Sequence, residues 1–217
     1  MYMIFDGINN TLLFSVVSFF YIIMLTIVFI TKNKIESLEL KIYKCLITLN
    51  IISLIMECSL ILFMPIGGVV LSIVLKIFDL CLFSYIFTMA LYLYTVIHSV
   101  DLVSKNNTMY WFVIIYYIFS ALLFLVLPVK LNDVEYMQYS YGLNVQFLFL
   151  SLAVLICFML IQILTHFRKI KSKKTAPIIV LVILMSINGV IQFIWPHILL
   201  ANSIISLVTF IMYHTIE

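Results

Sequence analysis

Three ionisable residues, Glu57, Lys76 and Asp79, stand inside otherwise apolar runs. A charge at the centre of a hydrocarbon layer costs at least about 2.5–3.5 kcal/mol, so each such group needs a partner and usually has a purpose. Glu57 lies as far before Ile66-Gly67 as Lys76 lies after it, so a hairpin turning there brings both to one depth. Asp79 follows Lys76 by three residues and shares its helical face. At 1.5 Å per residue the group is expected roughly 10–15 Å below the outer boundary. A Glu57/Lys76/Asp79 cluster reads in two ways: a neutralised set that fixes the hairpin's register, or the charged wall of a ligand site or proton-coupled switch.

Uncharged polar residues gather at similar depth. Asn188 and Gln192 stand four apart in a later run, and Asn202, Ser206 and Thr209 fall on one helical stripe of the last. With the sixth run ending near Trp195, Asn188 is expected about 10 Å below the outer surface, level with Lys76; His197 lies nearer that surface. Glu57, Lys76, Asp79, Asn188, Gln192 and Asn202 then form the polar lining of an outward-facing ligand pocket, with Tyr85, Tyr92 and Trp195 as apolar walls. The alternative is that amides and hydroxyls glue helices together at about 0.6 kcal/mol each. The inner halves of the runs offer little beyond Asn50 and Gln162.

Reactive constellations are missing. The histidines (His98, His166, His197, His214) lie singly near the ends of apolar runs, and no HExxH, paired catalytic carboxylates, GxSxG or Walker-type loop occurs. Cys45, Cys58, Cys81 and Cys157 are scattered singly, which marks them as small packing residues. No catalytic residue, metal site or cofactor is expected, and the last run has no lysine for a retinal Schiff base.

Lipid-spanning helices must position these residues. Of 217 residues 65% are hydrophobic and 10% charged, too few polar side chains to coat a water-soluble surface. Runs long enough to cross about 30 Å of hydrocarbon fall at 11–31, 42–64, 69–98, 109–128, 144–166, 176–195 and 197–214. They predict an all-α, seven-helix transmembrane bundle in one domain covering 1–217. Pro65-Ile66-Gly67-Gly68, Pro128 and Trp195-Pro196 mark breaks, and the third run exceeds what a bilayer needs.

The first, third and fifth connections carry ten basic residues: Lys32, Lys34, Lys41, Lys44, Lys105, Arg168, Lys169, Lys171, Lys173 and Lys174. The N-terminus and the even connections carry Lys130 alone, which places the N-terminus outside and the C-terminus in the cytoplasm. The outer stretch Val129 to Gly142, with Tyr136, Tyr139 and Tyr141, reads as an aromatic belt at the headgroups or as a cap on the pocket. Anionic lipid, not nucleic acid, is the expected neighbour of the basic loops.

This layout resembles a known family. The short outer N-terminus, the connection Lys32-Asn33-Lys34-Ile35-Glu36-Ser37-Leu38-Glu39-Leu40-Lys41, the basic Arg168–Lys174 stretch before Ala176-Pro177 and the ending Thr209–Glu217 are similar to the N-terminal seven-helix sensor region of membrane histidine kinases from low-GC Gram-positive bacteria. The resemblance implies a plasma-membrane, multi-pass input module for two-component signalling, which senses a small extracellular ligand or a membrane property and passes the change through the last helix. It implies a homodimer where a kinase is attached. The phospho-accepting and ATP-binding parts would lie beyond Glu217, so the module is expected to be no enzyme itself. A small transporter or transporter subunit is the alternative expectation.

Overall fold

The computed structural model describes residues 2–31, 37–63, 68–98, 108–134, 137–166, 172–194 and 200–216. Among them run seven helices: α1 (Tyr2–Thr31), α2 (Leu38–Phe63), α3 (Gly68–His98), α4 (Thr108–Val126), α5 (Leu143–His166), α6 (Ser172–Ile194) and α7 (Ala201–Ile216). Between α4 and α5 lies a hairpin of β1 (Lys130–Val134) and β2 (Met137–Tyr141). Each helix satisfies its own backbone hydrogen bonds, the solution an apolar solvent imposes.

Local chemistry sets several ends. Ser37 caps α2: its hydroxyl accepts from the Leu40 amide at 3.2 Å and its carbonyl from Lys41 at 3.1 Å. Gly68, with φ of 72°, opens α3 in a conformation that L side chains avoid. Beyond α4 the Leu127 amide still reaches the Leu123 carbonyl at 2.9 Å, and Pro128, which has no N–H, follows. Two starts differ from expectation. α1 begins nine residues before 11, and α6 begins four residues before 176, with Pro177 inside it as its sixth residue, where the ring removes one intrahelical hydrogen bond.

The bundle is inside-out relative to a soluble one. Its exterior carries Phe20 at 64%, Phe112 at 69%, Val126 at 77% and Leu164 at 75% exposure, whereas Asn50, Glu57, Asn144 and Asn202 are buried. Water would reject that surface and hydrocarbon would accept it. Among the described residues, four helices contain stretches long and apolar enough to cross a membrane: Leu13–Thr31, Gly68–Ile97, Leu143–His166 and Thr175–Gln192.

Helix α3 is the hub. It packs on α2, α4, α5 and α6, and Tyr85, Ile86, Met89, Ala90 and Leu93 are wholly buried on it. The last helix, α7, packs on α1, α2 and α6. On the outer faces of α1 and α4, apolar side chains meet no protein.

The hairpin is a departure from a purely helical reading. Its antiparallel register pairs Lys130 with Tyr141 and Val134 with Met137. Tyrosine, valine and methionine suit a pleated ribbon as readily as an interfacial belt, which is why composition alone did not separate the two. Gly142, with φ of 99°, turns the chain from β2 into α5, and the Lys130 side chain crosses it at 3.5 Å from where a Cβ would stand. Its carbonyl accepts from the Gln146 amide at 3.1 Å, so the glycine also starts α5.

Gly142→Val is therefore expected to destabilise the bundle by about 1–3 kcal/mol through backbone strain. Gly189→Ala, where a Cβ meets nothing within 4 Å, should be neutral or stabilise by up to about 1 kcal/mol. Unfolding of both variants by a denaturing detergent, followed by circular dichroism, checks the contrast.

Candidate functional site

On α2, Asn50, Ser53 and Glu57 recur at helical spacing, and all are buried. They face the stripe Asn202, Ser206 and Thr209 on α7. The Asn202 amide is the knot of this seam. Its Nδ2 donates to Glu57 Oε2 at 2.7 Å and to the Ser53 carbonyl at 3.2 Å, while its Oδ1 accepts from the Ser53 hydroxyl at 2.7 Å. Ser15 of α1 is a second hydrogen-bond partner of Glu57.

One turn further along α7, the Ser206 hydroxyl donates to Asn50 Oδ1 at 3.3 Å, and Asn50 Nδ2 donates to Thr209 Oγ1 at 3.3 Å. Thr209 also meets the Tyr85 hydroxyl at 2.8 Å, and its carbonyl accepts from Tyr43 at 3.2 Å. Tyr85 is thus a hydrogen-bonding member of the seam, not an apolar wall. Ser18 of α1 adds a contact to Ser203 at 3.1 Å. From Tyr43 to Glu57 the polar line runs along α2 for about 21 Å, most of a bilayer's hydrocarbon depth.

The expected Glu57/Lys76/Asp79 cluster does not form. Glu57 turns to α1 and α7, Asp79 accepts from Asn144 of α5 at 2.7 Å, and half-buried Lys76 donates to the Leu125 carbonyl of α4 at 2.7 Å. No ion pair joins any two of them among the described residues. Hairpin symmetry fixes depth but not direction around each helix axis, and Glu57 points away from α3's charged face.

Helix ends explain what Lys76 and Asp79 do instead. Leu125 is in the last turn of α4, where carbonyls lack intrahelical donors, and Asn144 is in the first turn of α5. A cation at a helix C-terminus and an anion at an N-terminus are each favourable. The two charges therefore hold the roots of the β1–β2 hairpin against α3. Their depth changes accordingly: α4 and α5 end level with them, so they lie near the level of those helix ends, and about 12 Å of α3 before Lys76 runs on past it.

Compared with known protein families, curated proteins and solved structures, the chain matches none.

The remaining expected lining residues scatter. Asn188 of α6 is buried, with Oδ1 unpartnered among the described residues, and Gln192 is half-buried. Tyr92, fully buried on α3, has a hydroxyl without a hydrogen-bond partner among the described residues and lies one turn and more from the C-terminal end of its helix. Trp195 and His197 lie outside the described residues. Of the nine expected lining residues, Glu57, Asn202 and Tyr85 share the α2–α7 seam.

Sequence reasoning missed Ser15, Tyr43, Ser53 and Asn144. The spacing of Asn50, Ser53 and Glu57 would have shown a stripe complementary to that of α7, because the two share the same periodicity. Asn144 gave no signal, since a single amide at a helix start reads as a cap.

Asn202→Leu removes three hydrogen bonds and strips the amide donor from Glu57, with an expected loss of about 1–3 kcal/mol. Ser18→Ala breaks one peripheral contact and should lose about 0.6 kcal/mol. Unfolding free energies in bicelles would measure both, and equal losses would contradict the central place given to Asn202.

Proposed function

We propose that this chain is a membrane sensory module, crossing the plasma membrane seven times with its N-terminus outside, in which α7 carries the signal inward. One observation supports this above others: α7 is tied by polar contacts to three helices, through Ser18 of α1, Asn50, Ser53 and Glu57 of α2, and Tyr85 of α3. A helix held by directional bonds on several sides takes up a new position when any of those neighbours moves. A purely apolar contact would tolerate small slips without consequence.

In this reading an external ligand or a membrane property acts on the outer ends of α2 and α3 and on the hairpin. The seam converts the change into a displacement of α7 toward the cytoplasm, where a histidine-kinase output of the two-component type would receive it. The lipid bilayer is the constant partner, and a homodimer forms when a kinase is attached. The arrangement of Lys and Arg supports the orientation.

A transporter is the second reading, and the extension of the polar line to Asn50, Thr209 and Tyr43 favours it more than composition does. Solute flux in proteoliposomes, abolished by Asn50→Leu, would support it over the sensory reading.

Two measurements test the proposal. Epitope tags at the two termini should be reached from opposite sides of intact cells, the N-terminal one from outside. In a fusion placing a complete kinase output after Glu217, Asn202→Leu and Thr209→Val should change basal phosphorylation at least severalfold, whereas the exposed Cys157→Ala should not. Unchanged output in the two seam variants would rule α7 out as the transmitter.

A further inference from the structure

Glu57 is buried, at 1% exposure, six residues from the C-terminal end of α2. Its hydrogen-bond partners are Asn202 Nδ2 at 2.7 Å and the Ser15 side chain, both neutral. An ionised carboxylate can only accept, whereas the neutral acid both accepts and donates. These partners serve the acid fully. The amide donates to one oxygen, and a serine hydroxyl accepts a proton from the acid as readily as it donates its own.

No cation faces Glu57 among the described residues. α1 carries Asp6, nine positions before Ser15, and α7 carries no Asp, Glu, Lys or Arg. On α3, Lys76 is committed to the Leu125 carbonyl and Asp79 to Asn144. Glu39, Lys41 and Lys44 of α2, His98 of α3 and His214 of α7 stand at the other ends of their helices. The hydroxyls of Tyr43 and Tyr85 are bonded to Thr209, and half-buried Cys58 adds no positive charge. A carboxylate offers about four lone-pair sites. Two donors leave about half of them unfilled, so the acid is the form that suits this seat.

We infer that Glu57 is a reversible proton-binding site, and that the bound proton holds α7 in the seat described. Asn202 lies on α7, so bringing water to an ionised Glu57 means parting α2 from α7. The closed seat holds the proton and the parted form releases it. Acid therefore favours the seat and alkali favours opening. The inference deepens the sensory reading by naming a stimulus, the proton, and rests on it for that meaning alone. Proton binding and helix position are measurable without an output domain, so a silent kinase fusion would defeat the sensory reading and leave this one standing.

The test uses the full chain in lipid nanodiscs. At about pH 6, where exposed carboxyls are ionised, infrared spectra should retain a carboxylic-acid C=O band that fades as the pH is raised. ¹³C labelling of glutamate should shift this band in the unaltered chain. Glu36, Glu39, Glu135 and Glu217 all lie outside the apolar runs, so the assignment stands even where a variant fails to fold. The band should be lost in Glu57→Gln and survive in Asp79→Asn. Spin labels on Ile55→Cys and Leu207→Cys, exposed positions of α2 and α7, are placed in a chain whose four native cysteines are changed to alanine. Their separation should shift by several ångströms between acidic and alkaline buffer, and stay at its acidic value in Glu57→Gln. Absence of a glutamate acid band in the unaltered chain, a label separation that ignores pH, or a pH shift that persists in folded Glu57→Gln would each overturn the inference.

Discussion

Polar groups in a hydrocarbon-facing bundle have nowhere to go but each other, and the rest of this structure follows from that constraint. The Asn202 side chain shows it most directly: each hydrogen-bonding atom of its amide is engaged across the α2–α7 contact. In water such bonds compete with solvent and add little. In an apolar surrounding, breaking them leaves Glu57 with Ser15 as its remaining partner and no water to replace the lost amide, so the relative position of the two helices becomes sharply defined.

Helix α3 works by a different rule. Its inner face is packed with large side chains, and the stacked rings of Phe83, Phe87 and Tyr117, with centroids 5.7 and 4.4 Å apart, fasten it to α4. Its N-terminal half carries the charges Lys76 and Asp79, each directed at the terminus of a neighbouring helix. α3 thus joins an apolar core to the root of the hairpin, and α7 carries one side of the polar seam. Both helices border α6.

Much of this was legible in the residues. Apolar run lengths outlined the helices, proline and glycine marked breaks at Gly68 and Pro128, and the spacing of Asn202, Ser206 and Thr209 announced a polar stripe. What escaped was direction. Hairpin symmetry placed Glu57 level with Lys76, but the angular position of each around its axis depends on which helices pack where, and that is a property of the whole bundle. The level of Lys76 and Asp79 also depended on where α4 and α5 end, which their own apolar runs leave open by several residues. The hairpin was hidden for another reason: tyrosines serve a ribbon and a headgroup belt equally well.

The seam has a graduated character that a single contact would lack. Polar side chains recur on α7 at each turn, at 202, 206, 209 and 213, opposite a similar series on α2 at 43, 50, 53 and 57. Advancing α7 by one turn toward its own N-terminal end, about 5.4 Å, would set Ser206 against Glu57, Thr209 against Asn50 and Tyr213 beside Tyr85. Intermediate positions would leave amides facing aliphatic carbon. Like the teeth of a ratchet, the arrangement admits separate seats rather than a continuum, so movement of this helix would come in steps.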